Sequence, residues 1–106
     1  MIKFAVVLYR RPGLPLARFR RVLRNEHARM AEALPGLRRY VQNHVVHDPK
    51  RRRPAWDAIV ELYWRDRRAM EKAWRSAEGQ RATAHLATFA DLARTEWSVV
   101  TEDVRR

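Results

Sequence analysis

The chain has 106 residues, enough for one small domain, and its 46% hydrophobic content is enough to build a core, so it need not be disordered. It has no cysteine, which excludes disulfides, a thiol nucleophile and zinc–sulfur sites. The net charge is +11, but the arginine pairs and triplets at 10–11, 20–21, 38–39, 51–53, 67–68 and 105–106 are spread over every segment rather than gathered in one stripe, which reads as a solvated basic surface and argues against nucleic acid as a partner.

Ile2 to Arg10 is rich in β-branched and aromatic residues and is expected to be the first strand, ended by Pro12-Gly13. Pro15 is placed to open a helix, since a first-turn residue needs no amide donor. Leu16, Phe19, Leu23, His27, Met30 and Leu34 then follow at spacings of 3, 4, 4, 3 and 4, the rhythm of one buried helical face. Arg18, Arg21, Arg24 and Arg29 lie off that stripe. The helix is expected to end at Leu34, before Pro35-Gly36. Leu37 to His47 reads as the second strand, Asp48 to Pro54 as a polar hairpin loop, and Trp56 to Trp64 as the third strand. Asp66 can cap a second helix through about Ala77, interrupted or tilted at Ser76 to Gly79 and running on towards Leu86. Arg94 to Thr101 is the last strand.

This order is that of the ferredoxin-like βαββαβ fold, an α+β domain with two helices on one face of a four-stranded antiparallel sheet. Strands one and three are apolar on both faces: Phe4, Val6 and Leu8 alternate with Ala5 and Val7, and Ala58, Val60 and Leu62 with Ile59 and Tyr63. A sheet with one wet face should be polar there. An apolar second face implies a partner, most simply a second copy around a twofold axis, hence a homodimer. No apolar run approaches the ~20 residues of a bilayer span, and Met1–Leu8 is too short for a signal-peptide core and has Arg10-Arg11 after it rather than before it, so a cytoplasmic protein without a membrane partner is expected.

Several residues carry candidate chemistry. An inward-facing His27 is either a hydrogen-bonded core residue or a titratable group lining a pocket. Tyr9, Tyr40 and Tyr63 can donate a phenol hydrogen bond to an enolate oxygen, or simply pack. Glu61, inside the third strand, can orient a histidine, bind substrate, or pair with an arginine across the sheet. Trp74, Phe89 and Met70 line a pocket or fill the core, Trp74 being the best aromatic for stacking a planar ligand. His44 and His47, three apart in a strand, point to opposite faces and cannot share a metal. The three glycines are isolated, so no phosphate loop exists, and neither a metal nor a nicotinamide, flavin or heme cofactor is expected.

These phrases resemble the EthD family of dimeric α/β-barrel proteins. The marks are Arg11-Pro12-Gly13-Leu14 after the first strand, Glu26-His27-Ala28 in the helix, and Leu34-Pro35-Gly36-Leu37-Arg38-Arg39-Tyr40 leading into strand two. Ala58 to Trp64, Ser76-Ala77-Glu78-Gly79 and Phe89-Ala90-Asp91-Leu92 fit as well. The resemblance implies a dimer whose two sheets close into a barrel, with a pocket in each subunit between helices and sheet. It groups the chain with polyketide cyclases and dehydratases, lactone isomerases and heme-binding monooxygenase-like proteins, while EthD itself is associated with ether degradation. His27 matches the family's helix histidine, and His85 lies near the position where related cyclases carry a catalytic one. Two departures concern the pocket wall: Val22-Leu23 replaces a common aromatic pair, and Arg29-Met30 replaces a proline and an aliphatic residue after the histidine. The expectation is a cofactor-independent cyclase, dehydratase or isomerase acting by proton transfer on a hydrophobic ring or polyketide-like substrate. Its catalytic candidates are His27, Glu61, Tyr63 and His85, and its substrate-binding candidates Tyr9, Leu23, Met30, Trp74 and Phe89. The alternatives are a non-catalytic ligand-binding or accessory protein of an oxidative pathway, or a cofactorless or heme-binding monooxygenase.

Overall fold

The structure, a computed structural model, describes residues 1–106. Four strands form where β-branched and aromatic residues alternate: β1 (Ile2–Leu8), β2 (Arg39–His44), β3 (Ala58–Trp64) and β4 (Glu96–Val100). They make one antiparallel sheet in the order β2-β3-β1-β4, with Val6 opposite both Val60 and Trp97, and Gln42 opposite Val60. This is the ferredoxin-like α+β topology. Each strand is shorter than its sequence pattern. Leu8 ends β1 because its carbonyl accepts the Asp57 amide in the turn before β3, and Arg10 then bridges to Ala90. β2 stops at His44, so His47 lies in the following loop and the parity argument for His44 and His47 does not apply.

Strand alternation divides the sheet into two faces. Phe4, Val6, Leu8, Tyr40, Gln42, Val60, Leu62, Trp97 and Val99 share the helix-covered face. Lys3, Ala5, Val7, Val41, Asn43, Ile59, Glu61 and Tyr63 share the open one. The open face is therefore less uniformly apolar than the alternation of β1 and β3 suggests. At its centre Lys3 Nζ lies 2.7 Å from Glu61 Oε2 and 2.8 Å from Glu102 Oε2. The Tyr63 hydroxyl donates to Glu102 at 2.9 Å, and Asn43 Nδ2 donates to Glu61 at 3.1 Å.

The first helical segment runs through α1 (Leu16–Val22), a π-turn (Leu23–His27) and α2 (Ala28–Glu32). Pro15 sits one position earlier than expected: it is the N-cap, with extended ψ of 144°, and its carbonyl accepts the Arg18 and Phe19 amides. After α2 the chain turns at Gly36, whose φ of +70° is left-handed and suits glycine. Trp64 Nε1 donates to the Pro35 carbonyl at 3.0 Å and pins that turn to the sheet.

Asp66 caps α3 (Arg67–Arg75), accepting the Ala69 amide at 2.9 Å. Ser76 ends α3 and caps α4 (Ala77–Leu86): its Oγ donates to the Ala73 carbonyl and accepts the Gly79 amide. The corner demands glycine at 79, because a Cβ there would stand 2.2 Å from the Ala73 carbonyl oxygen. Trp64, Phe19, Phe89, Leu8 and Leu23 are the largest fully buried side chains, between the helices and the covered sheet face. No helix is long and apolar enough to cross a membrane.

Candidate functional site

A cavity of about 530 Å³ opens between the covered face of the sheet and α2, α3 and α4. Fourteen of its twenty lining residues are hydrophobic, so it suits an apolar ligand. Phe4, Val6 and Leu62 line it from the sheet, Ala31 and Leu34 from the segment around α2, Met70 and Trp74 from α3, and Ala82 and Leu86 from α4. Phe4 lies between two indoles: Trp97 stacks on it at 5.1 Å with an interplanar angle of 23°, and Trp74 meets it at 5.0 Å. Arg67, Glu71 and Arg75 bring charge to the lining.

His27 enters the cavity wall at the end of the π-turn. Such turns insert a residue into an α-helix and often accompany functional sites. Here the Ala28 amide reaches back to the Leu23 carbonyl, five residues away. His27 Nδ1 lies 3.0 Å from His85 Nδ1, the two rings nearly parallel with centroids 5.3 Å apart. Phe89 packs edge-on to His27 at 5.1 Å and tilted to His85 at 5.5 Å, holding both rings from behind. On its far side His85 Nε2 faces Glu26 Oε2 at 3.6 Å. Burial, and then the neighbouring His85, push the His27 imidazole down to a pKa of about 4, so it is neutral at pH 7.

Two nitrogens 3.0 Å apart share one proton. If His85 carries its proton on Nε2, towards the Glu26 carboxylate, its Nδ1 accepts and His27 Nδ1 donates. His27 Nε2 is then left as a bare lone pair, with no protein partner.

A second polar group lies on the covered face of β2. Gln42 Nε2 donates to the Leu23 carbonyl at 2.9 Å and to the Tyr40 hydroxyl at 2.7 Å. Gln42 Oε1 lies 3.0 Å from His44 Nε2. Tyr40 lines the cavity; Gln42 and His44 stand behind it. Burial holds the Tyr40 phenol above its ordinary pKa, and burial with the nearby Arg24 and Arg20 charges lowers that of His44.

The structure thus brings His27 and His85 together and places Trp74 on the cavity wall. It does not bring Glu61 or Tyr63 to them. Odd parity on β3 turns both to the open face, where Glu61 pairs with Lys3 rather than with an arginine, and Tyr63 bonds Glu102. Tyr9 lies outside the cavity, its ring 4.1 Å from the Arg94 guanidinium. Leu23 is fully buried in the core, Met30 is half-buried off the lining, and Phe89 supports the histidines from the core. Tyr40, Gln42 and His44 alternate along one strand, and that period-2 signal was available to place them on one face.

The EthD domain family model matches residues 11–93. No curated protein matches the sequence. Among solved structures, an EthD-family protein from Bacillus halodurans C-125 is similar at 23% identity and a TM-score of 0.81, covering 97% of this chain and all of that one. SnoaB from Streptomyces nogalater, described as a cofactor-independent oxygenase, is similar at 15% identity and a TM-score of 0.64, over 97% of this chain and 93% of its own. A dimeric ferredoxin-like protein of unknown function from Thermobifida fusca YX is similar at 13% identity and a TM-score of 0.71, over 95% and 90%.

Proposed function

The chain belongs to the EthD domain family, and we propose that it is a small-molecule enzyme that moves a proton at a carbon beside a carbonyl of an apolar ring or polyketide-like substrate, in a cyclisation, dehydration or isomerisation. The observation that carries this reading is the His27–His85 pair, 3.0 Å apart, on the wall of a 530 Å³ apolar cavity.

A neutral imidazole with an unpartnered Nε2 is a base in the correct form at neutral pH. Its lowered pKa alone would make it a weak base, and the pair offsets this. As Nε2 takes a proton from substrate carbon, the proton on Nδ1 can pass to His85 Nδ1. The positive charge then rests on His85, beside the Glu26 carboxylate and outside the apolar cavity. Reversal of the same path returns a proton to a different substrate atom, as isomerisation requires. The aromatic wall of Trp97, Phe4 and Trp74 suits a planar substrate lying against it, and apolar burial supplies most of its binding free energy.

The apolar cavity also favours a second reading, cofactor-independent oxygenation. It begins with the same deprotonation, after which the substrate carbanion itself delivers electrons to dioxygen. Both readings include a homodimer through the open sheet faces. Ala5, Val7, Val41 and Ile59 on that face, and the dimeric description of the Thermobifida fusca neighbour, support it.

The experiment is hydrogen–deuterium exchange at the acidic carbon of a panel of cyclic 1,3-diketones and lactones, followed by NMR with oxygen uptake in parallel. Catalysed exchange in the native protein and its loss in His27→Ala, with ligand binding kept, is the expected result. Exchange at the buffer rate throughout the panel overturns the proton-transfer reading and leaves a ligand-binding protein. Stoichiometric oxygen uptake selects the oxygenase branch.

A further inference from the structure

The hydrogen bonds behind Tyr40 have a single consistent direction. The Leu23 carbonyl is an acceptor with no proton to give. The Gln42 atom facing it at 2.9 Å must therefore be the amide nitrogen; a flipped amide would oppose two oxygens. That nitrogen has two protons. One goes to Leu23, and the other goes to the Tyr40 hydroxyl oxygen at 2.7 Å. The remaining Gln42 oxygen faces His44 Nε2 at 3.0 Å, so His44 must carry its proton on Nε2. His44 Nδ1 is buried with no partner, which fits an unprotonated nitrogen. Donation thus runs His44 to Gln42 to Tyr40. The Tyr40 oxygen is an acceptor in this chain, and its own O–H makes no hydrogen bond within the protein, the Glu32 carboxylate standing near enough to help raise the phenol's pKa without accepting from it. Tyr40 lines the cavity, so a ligand bound there can supply the missing acceptor.

We propose that Tyr40 is a catalytic hydrogen-bond donor to the oxyanion of the substrate, with Gln42 and His44 as the positioning residues that fix its direction. The substrate class follows: a ligand presenting an enolate or phenolate oxygen to β2 while its acidic carbon faces His27. This assignment rests on the proton-transfer reading for its catalytic meaning. The donor itself is testable without turnover. Each bond in a head-to-tail chain polarises the next, so a phenol that already accepts from an amide is a stronger donor. It stays protonated because burial raises its pKa. Gln42 also ties this donor to the Leu23 carbonyl, the start of the π-turn that ends in His27. One side chain therefore couples the positions of the proton acceptor and the oxyanion donor.

The probe is para-nitrophenol, whose ionised form absorbs in the visible, titrated with pH in the presence of native protein, Tyr40→Phe and Gln42→Leu. A hydrogen bond to a charged oxygen favours phenolate over phenol by about tenfold or more. The apolar lining raises the pKa of any bound phenol, so the donor is read as a difference: the apparent pKa of the bound probe should be lower in native protein than in Tyr40→Phe by about one unit or more. Tyr40→Phe, which keeps the ring and its packing, should lose that lowering and keep only the desolvation, while binding the neutral phenol about as well. Gln42→Leu should reduce the lowering although Tyr40 is present, an effect that mere loss of packing would not produce. Circular dichroism checks that both variants are folded. An equal shift in native protein and Tyr40→Phe overturns the proposal, as does no detectable binding of the probe to native protein. The carbon-exchange assay separates the two readings. A probe difference between native protein and Tyr40→Phe without exchange keeps the donor and removes the enzyme, while exchange lost in His27→Ala but unchanged in Tyr40→Phe keeps the enzyme and removes the donor.

Discussion

The two faces of one sheet use polar residues in opposite ways. On the covered face, Tyr40, Gln42 and His44 stand among apolar neighbours and leave a donor pointing to a cavity, while His27 and His85 share one proton beside it. On the open face, Lys3, Glu61, Glu102, Asn43 and Tyr63 close their hydrogen bonds on one another. The first arrangement has open valences and suits chemistry. The second is self-satisfied and suits structure. Adjacent residues of the same strand, such as Leu62 and Tyr63, belong to different arrangements because the side-chain period of a strand is 2.

Substitutions on the two faces should therefore separate activity from stability. The largest expected effect is on catalysis: His27→Ala should lower the carbon-exchange rate by about 10²–10⁴-fold, the usual contribution of general acid–base catalysis, while Glu61→Gln leaves it within about threefold. Initial rates on both purified variants check this. An equal loss in Glu61→Gln would mean that the faces communicate.

Next comes the corner that carries Trp74 and His85 to the covered face. Gly79→Ala puts a Cβ 2.2 Å from the Ala73 oxygen and 2.6 Å from the Trp74 oxygen, so backbone must move. Denaturant titration should show a loss of about 2–4 kcal/mol, within the range of overpacked sites. Ser76→Ala, which removes the cap but not the space, should cost about 1 kcal/mol.

Lys3→Met tests the open face. It leaves Glu61 and Glu102 together without their cation, and the melting temperature should fall by several degrees, less at high salt because Glu102 is partly exposed. Exchange activity should be unchanged.

The pH dependence also differs between the faces. His27 protonates near 6.5 when unfolded but at about 4 in the fold, so the unfolded state binds more protons between those values. Its contribution is complete above pH 6.5 and is lost as pH falls towards 4. His44, also lowered, acts with the same sign. Glu61 is held below its ordinary 4.5 by the Lys3 and Asn43 hydrogen bonds, so its contribution is lost only as pH falls below 4.5. Denaturation midpoints measured from about pH 7 to about pH 5 should decline in native protein and decline less steeply in His27→Ala, the remainder coming from His44. Glu61→Gln should keep that decline.

The element order was readable from the residues alone, because periods of 3.6 and 2 and the Pro-Gly breaks are local properties. The Asp66 cap and the break at Ser76 to Gly79 were legible for the same reason. So was the inward direction of His27, through the stripe from Leu16 to Leu34. Parity along β3 was also readable, and it already separated Glu61 and Tyr63 from Val60 and Leu62. What parity could not say was which of those sets faces the helices, since both contain apolar residues. That needed the packing of Val60 and Leu62 under the helices. The partner of His27 emerged only on folding. His85 lies 58 residues away on another helix, and no local pattern encodes a 3.0 Å approach across that separation. Folding likewise joined Gln42 to the Leu23 carbonyl, since the π-turn and β2 meet only when the helix lies on the sheet. Elements follow from short-range sterics and burial patterns, whereas a site is built from residues that only the folded chain brings together.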